Sequence, residues 1–284
     1  MGKFDGVLLA SDFDNTLIYT EDALRTGRPI PPLSEGNRAA LEFFMAQGGH
    51  FAIATGRALP AFEKLAPMIP INTPCVICNG AAIYDFAKSE YLETALLSEK
   101  SRERGQQVLD AFPQVGVEAY HVENVIHAVQ INGFIRAHEH LTGVRVEEKA
   151  SLPDVPLPLG KLLFEAEHKD LVLVERFIRG HGWASDYELI YSGKTLLELT
   201  ARGASKGGML KKLAEHLDVA LEDIYAVGDE GNDLTMLEVA AVGFAPANCA
   251  PAVRHSGVKI VCDAHADALA EVVAALKKRY FEEV

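Results

Sequence analysis

Near both ends of the chain, apolar residues fall into short unbroken runs. These are Val7-Leu8-Leu9-Ala10, Phe51-Ala52-Ile53-Ala54, Val76-Ile77, Ile224-Tyr225-Ala226-Val227, Val242-Gly243-Phe244 and Val258-Lys259-Ile260-Val261. Runs of this length, closed by glycine or acidic residues, predict strands buried on both faces, as in parallel sheets. Helical spacing fills the gaps. Ser34 caps a predicted helix over about 35–47, with Leu41, Phe44 and Met45 on its inner face and Gly48-Gly49 ending it. Thr55-Gly56-Arg57 leads into a helix near 58–66, Ser205 caps one over about 206–217, and a last one covers about 266–280. Alternation of strand and helix predicts an α/β fold with a doubly wound, Rossmann-like, mainly parallel sheet.

The middle of the chain has a different rhythm. Longer helical segments near 99–111 and 168–180 mix with β-rich pieces at Val125–Ile131 and Lys161–Glu167. The connector Leu152-Pro153-Asp154-Val155-Pro156-Leu157-Pro158 suits neither a helix nor a central strand. The pattern predicts a core built from 1–84 and 192–284, interrupted by an α+β insert over 85–191.

Two of the predicted core strands end in acids. The first leads into Asp12-Phe13-Asp14-Asn15-Thr16, the second into Gly228-Asp229-Glu230-Gly231-Asn232-Asp233. Ligands of open α/β sheets lie beyond the carboxyl ends of the strands, so Asp12, Asp14, Asp229 and Asp233 are expected in one pocket. Carboxylates gathered in this way call for a cation, and an all-oxygen ligand set suits Mg²⁺. Thr55 offers a hydroxyl, Gly56 an unshielded N–H and Lys206 a point charge, all suited to phosphate oxygens. Together they fit phosphoryl transfer, in which positioning and charge neutralisation do most of the catalysis.

Composition narrows the partners. With 40 acids against 27 lysines and arginines among 284 residues, the net charge is −13. That surface disfavours a broad footprint on nucleic acid or anionic lipid. It leaves room for a local cationic pocket taking a small phosphorylated metabolite. No run approaches the roughly 20 apolar residues of a membrane span, and Asp12 and Asp14 interrupt the first apolar stretch, unlike a signal peptide. The expectation is a cytoplasmic protein, monomer or homodimer, with reduced cysteines.

Asp12-Phe13-Asp14-Asn15-Thr16-Leu17, Thr55-Gly56-Arg57, Lys206 and Gly228-Asp229-x-x-Asn232-Asp233 resemble, in order, the four motifs of the haloacid dehalogenase (HAD) superfamily of phosphatases. Val76-Ile77-Cys78-Asn79-Gly80-Ala81 and Leu197-Glu198-Leu199-Thr200, with Gly203-Ala204-Ser205-Lys206-Gly207, resemble the junctions at which Cof-like members carry a type IIB cap. The resemblance implies that Asp12 is the nucleophile and becomes an aspartyl-phosphate, with Asp14 as general acid and base. It implies Mg²⁺ at Asp12, Asp14 (through its backbone carbonyl) and Asp229, supported by Asp233. Thr55, Gly56, Lys206 and Asn232 would serve the phosphate. Asn15 stands where many relatives have glycine, and asparagine tolerates the left-handed backbone such a turn needs. The expected activity is Mg²⁺-dependent hydrolysis of a small phosphomonoester, a sugar phosphate or phosphorylated cofactor. The alternatives are a mutase of the phosphomannomutase type and a non-enzymatic phosphate sensor.

Other residues carry plainer expectations. Cys75-Val76-Ile77-Cys78 has C-x-x-C spacing but reads as a strand entering a turn rather than a redox helix start. His138 and His140, two apart on a helix, do not face one another and are expected to be solvated. Trp183 and Tyr187 are expected to pack within the insert. Arg102, Arg136, Arg145, Lys161 and Arg176 are the insert's candidates for reaching a substrate, and the pattern does not choose among them.

Overall fold

The computed structural model describes residues 2–121 and 125–282. A five-stranded, all-parallel sheet has the spatial order Lys259–Val261, Val242–Pro246, Ile224–Val227, Leu8–Ser11, His50–Ile53. Strand Leu8–Ser11 buries all four residues, and its side chains serve two cores. Leu9 packs with Leu41 and Phe44 of helix Glu35–Ala46 and with Leu269, Val272 and Leu276 of helix Ala268–Glu282. Leu8 and Ala10 pack with Met209, Leu210 and Leu213 of helix Lys206–His216. Helices thus cover both faces, which is why the core strands read as continuous apolar runs. The predicted caps hold: Ser34 accepts from the Asn37 N–H and Ser205 from the Gly208 N–H.

Cys75–Ile77 departs from expectation. It touches the parallel sheet through a single bridge, Ala54 to Val76, and otherwise pairs antiparallel with Ala82–Asp85, which pairs with Glu90–Thr94. Its end is the expected turn, Cys78–Gly80. Burial pushes the Cys75 and Cys78 thiols up, to about 12 and about 11, away from the thiolate that redox or metal-ligand chemistry needs.

The second large sheet has six strands in the order Tyr187–Gly193, Leu196–Ala201, Lys161–Glu165, Gly116–Tyr120, Ile126–Val129, Glu147–Glu148, mostly antiparallel. Along its central strands alternation is strict. Val117, Ala119, Leu162, Phe164, Leu197 and Leu199 join one apolar core with Val108, Leu109, Leu171, Val174 and Ile178 of helices Lys100–Ala111 and His168–Arg179. The intervening Glu118, Tyr120, Lys161, Glu165 and Glu198 point to the opposite face and are nevertheless buried. Trp183 packs on His181 and Tyr187, as expected.

The boundary expected at residue 191 falls inside strand Tyr187–Gly193, and Leu196–Ala201 continues the same sheet. Upstream, Ala95 N–H still donates to Ala81, whereas Leu97 N–H donates to Leu159. We propose that the insert begins near 96 and ends near 202, because strand pairing changes sheets there. Among the described residues no helix is long and apolar enough to cross a membrane.

Candidate active site

Two neighbouring parallel strands, Leu8–Ser11 and Ile224–Val227, deliver the acidic loops side by side, with Asp12 N–H bonded to Val227 O at 2.8 Å. The first loop turns at Asn15, whose φ of +55° is the left-handed conformation asparagine was expected to accept. Its side-chain oxygen accepts from the N–H groups of Thr20 and Glu21, and its carbonyl from Asn248. The second loop needs Gly228. A Cβ there would come within 2.4 Å of the Asp233 side chain, which tucks beneath the turn to accept from the N–H groups of Asp229 and Glu230.

The loops bring Asp12, Asp229 and Asp233 together, with carboxylate oxygens within 4.8 Å of one another and all three residues buried. Lys206, only 1% exposed, donates to Asp12 Oδ1 and Asp233 Oδ1, both at 2.6 Å. Thr16 Oγ1 donates to Asp229 Oδ1 at 2.7 Å. Burial pushes the Asp12 carboxyl up to about 7; Lys206 opposes this, and Asp233 and Asp14 add to it. Burial, then Asp12 and Asp233, push Asp229 up to about 9. Burial works against the Lys206 ammonium, but the same two carboxylates outweigh it and raise its pKa. Three carboxylates against one ammonium leave two negative charges when all ionise. This oxygen donor set fits a divalent cation, which would take the place of the protons that burial otherwise favours.

The Asp14 carboxylate lies outside that cluster. Arg57 grips it with two bonds, Nε to Oδ2 at 2.8 Å and Nη2 to Oδ1 at 2.7 Å, and Thr20 Oγ1 donates to Oδ1 at 2.6 Å. Thr55 is buried, and its hydroxyl accepts from the Arg57 N–H at 3.1 Å. The Asn232 amide donates to Asn79 Oδ1 at 3.0 Å, and Asn79 in turn donates to Glu198 Oε1 at 2.7 Å. Asp12, Asp14, Gly56, Asp229 and Asn232 line one cavity of about 320 Å³. Its far wall is the charged face of the six-stranded sheet and includes Tyr120, Lys161, Leu163 and Glu198. Of the insert's five basic candidates, Lys161 alone lines it among the described residues. Arg102 is spent on the carbonyls of Pro153 and Val155, and Arg136 on Glu139.

Sequence reasoning quoted Arg57 and Thr16 within motifs without giving them work. Glu198 too was quoted only within a junction motif, although an acid alternating with leucines in a strand signals the polar face of a sheet. The expectation for His138 is corrected: its ring is 15% exposed, and Nδ1 lies 3.1 Å from Glu118 and 3.3 Å from Glu165. Helical spacing alone says nothing of the strands a histidine will meet. Burial disfavours its charge, yet the two glutamates push it up to about 9; burial pushes Glu165 up to about 7. Both groups bind protons more tightly folded than unfolded. Their stabilisation is complete at low pH and is lost as pH rises, through about 7 for Glu165 and about 9 for His138. Asp12 and Asp229 slope the same way, so the Tm of the protein falls from pH 5 to 9. In Glu165→Gln the wild-type-minus-variant difference changes between the ordinary glutamate range and about pH 7. Thermal melts across that window check this, and parallel curves for the two proteins would refute it.

A sequence profile described as haloacid dehalogenase-like hydrolase matches residues 9–273. The phosphatase YwpJ of Bacillus subtilis (strain 168) is 39% identical, covering 90% of this chain and 93% of its own. The pyridoxal phosphate phosphatase YbhA of Escherichia coli (strain K12) is 24% identical, covering 94% and 97%. Among solved structures, that of the HAD subclass IIB sugar phosphatase BT4131 superposes with a TM-score of 0.77 at 19% identity, covering 95% of this chain and 98% of that one.

Proposed function

Because this chain belongs to the haloacid dehalogenase-like hydrolases, we propose that it hydrolyses small phosphomonoesters with Mg²⁺ through an aspartyl-phosphate on Asp12. The observation that carries this reading is the buried Asp12–Lys206–Asp233 group beside Asp229, opening into a cavity roofed by the second sheet. Asp12 and Asp229 would hold the metal with the Asp14 carbonyl, and Asp233 would support it. Bound there, the cation supplies charge screening between an anionic nucleophile and an anionic phosphate.

The chain's own groups do the rest. A carboxylate oxygen of Asp12 attacks phosphorus as the phosphorus–ester oxygen bond breaks, and Asp14 passes its proton to the leaving oxygen. Water then attacks the phosphoryl group, Asp14 takes the proton back, and the Asp12–phosphorus bond breaks. Arg57 and Thr20 hold the Asp14 carboxylate in the form that takes a proton from water, and for the first transfer a proton takes the place of one of these bonds. Lys206, the Thr55 hydroxyl and the Gly56 N–H stabilise the phosphoryl oxygens. Asn232 braces the loop that carries Asp229 and Asp233 through its bond to Asn79. The cavity admits a small phosphorylated metabolite.

The test is inorganic phosphate release from phosphorylated sugars, nucleotides and pyridoxal phosphate, with Mg²⁺ and with EDTA. Release is expected with Mg²⁺ and should fall at least about a hundredfold with EDTA. Undiminished release in EDTA would refute the metal assignment. Isomerised sugar phosphate without free phosphate would transfer the assignment to a mutase.

A further inference from the structure

We propose that Lys161 and Glu198 form a hydroxyl-reading subsite in the roof of the cavity, selecting phosphomonoesters whose carbon skeleton bears alcohol groups. The inference rests on the phosphatase reading above and narrows its substrate class. The two residues sit on adjacent strands, Lys161–Glu165 and Leu196–Ala201, and face the same side. Lys161 Nζ lies 3.0 Å from Glu198 Oε1 and 4.5 Å from the Tyr120 ring centre. They are 3% and 2% exposed, respectively, and both line the cavity that Asp12 lines.

A buried ion pair of this kind adds little to stability, since desolvation cancels most of its attraction. An apolar pair would pack this sheet face as well. The pair is also incomplete. Glu198 Oε1 takes bonds from Asn79 and Lys161, whereas Oε2 is buried without a hydrogen-bond partner. A buried acceptor left unmet is costly and marks a place where a ligand donor is wanted. The ammonium carries three N–H donors, and it faces Glu198 Oε1 at 3.0 Å and the Tyr120 ring at 4.5 Å.

An orphan acceptor beside a surplus donor matches an alcohol, which donates through its hydrogen and accepts through its oxygen. A second anion would meet Glu198, and a bare hydrocarbon would leave Oε2 unmet. Leu24, Ala58, Ile126 and Leu163 also line the cavity and give the carbon frame an apolar stretch. The bonds from Glu198 through Asn79 to Asn232 fix this subsite relative to the loop that carries Asp229 and Asp233. The reader of the alcohol and the phosphate site are therefore held in one frame.

The test uses binding as well as turnover. Asp12→Asn protein is titrated by calorimetry with a hexose phosphate, a pentitol phosphate and n-butyl phosphate. The hydroxylated esters should bind at least about a hundredfold more tightly, because a site built around a substrate hydroxyl rejects the analogue lacking it. Adding the double change Lys161→Met/Glu198→Gln, which leaves neither charge unpaired, should shrink that ratio to within about tenfold. Lys161→Arg, which keeps the ion pair but displaces its donors, should shrink it in the same direction and serves if the double variant does not fold. Equal affinity for all three esters, or a ratio that survives these changes, would overturn the subsite. Selective binding with no phosphate release by the wild-type enzyme would instead overturn the phosphatase reading and leave the subsite standing.

Discussion

Asp12→Asn is expected to lower phosphate release by at least about 10⁴-fold while leaving the protein as stable as the wild type, or more so. The loss follows from chemistry: an amide oxygen is too weak a nucleophile to form the phosphoryl adduct on which the proposed reaction depends. The stability follows from burial. The Asp12 carboxyl is pushed up to about 7 because it is buried and shares its site with Asp233 and Asp14. A carboxyl whose folded pKa is raised opposes folding above its unfolded value, and increasingly so up to the folded one. An uncharged isostere removes that opposition, so at pH 8 the variant's Tm should match or exceed that of the wild type. Phosphate release and a melt on the same preparation check both halves. Retained turnover would refute the nucleophile, and a sharp fall in Tm would show that Asp12 holds the fold together rather than straining it.

Lys206→Met should do the opposite, damaging both properties. Its ammonium is fully buried between Asp12 and Asp233, and methionine fills a similar volume without charge. Removing one partner of a buried pair costs about 3–5 kcal/mol because the carboxylates are left uncompensated. For a protein of this size that is a fall on the order of 10 °C in Tm. The deficit should shrink as pH falls toward 5, where Asp12 takes up a proton, and millimolar Mg²⁺ should relieve part of it. Turnover should drop by about 10³-fold, since a charge aimed at the phosphoryl oxygens is lost. Melts with and without Mg²⁺ at pH 5 and 8 separate the effects. A Tm equal to that of the wild type throughout would mean that Lys206 is not what balances these carboxylates.

The contrast between the two variants isolates a design in which one lysine holds together acids that repel one another. It also explains why the site is legible in a single chain. Each piece of the machinery is a local event: an apolar run, a glycine or asparagine that can turn, an acid placed just past the strand end. The places of Asp12, Thr55, Asp229 and Asp233 could be expected because the carboxyl end of a buried parallel strand is recognisable in sequence, and that of Lys206 because Ser205 reads as the cap of its helix. The same locality made Ser34 and Ser205 readable as caps, and it identified the Cys75–Cys78 segment as a strand entering a turn.

What local pattern did not reach was contact across strands and between remote segments. Arg57 gripping Asp14 joins residues 43 apart, and Asn79 meeting Glu198 joins residues 119 apart. Neither pairing has a signature in its own segment. His138 was expected to be solvated because its helix offers no partner, yet Glu118 and Glu165 reach it from neighbouring strands. The junction expected at 191 falls inside strand Tyr187–Gly193, and only the pairing of that strand with Leu196–Ala201 shows that the two share one sheet. The amino-acid sequence by itself determined the strand-to-acid order of the core, since backbone and side-chain preferences act over a few residues. Tertiary structure alone decided which of five basic side chains faces the cavity and which acids share a proton or an ammonium. Strand register sets those neighbours, and register is a property of distant segments folded together.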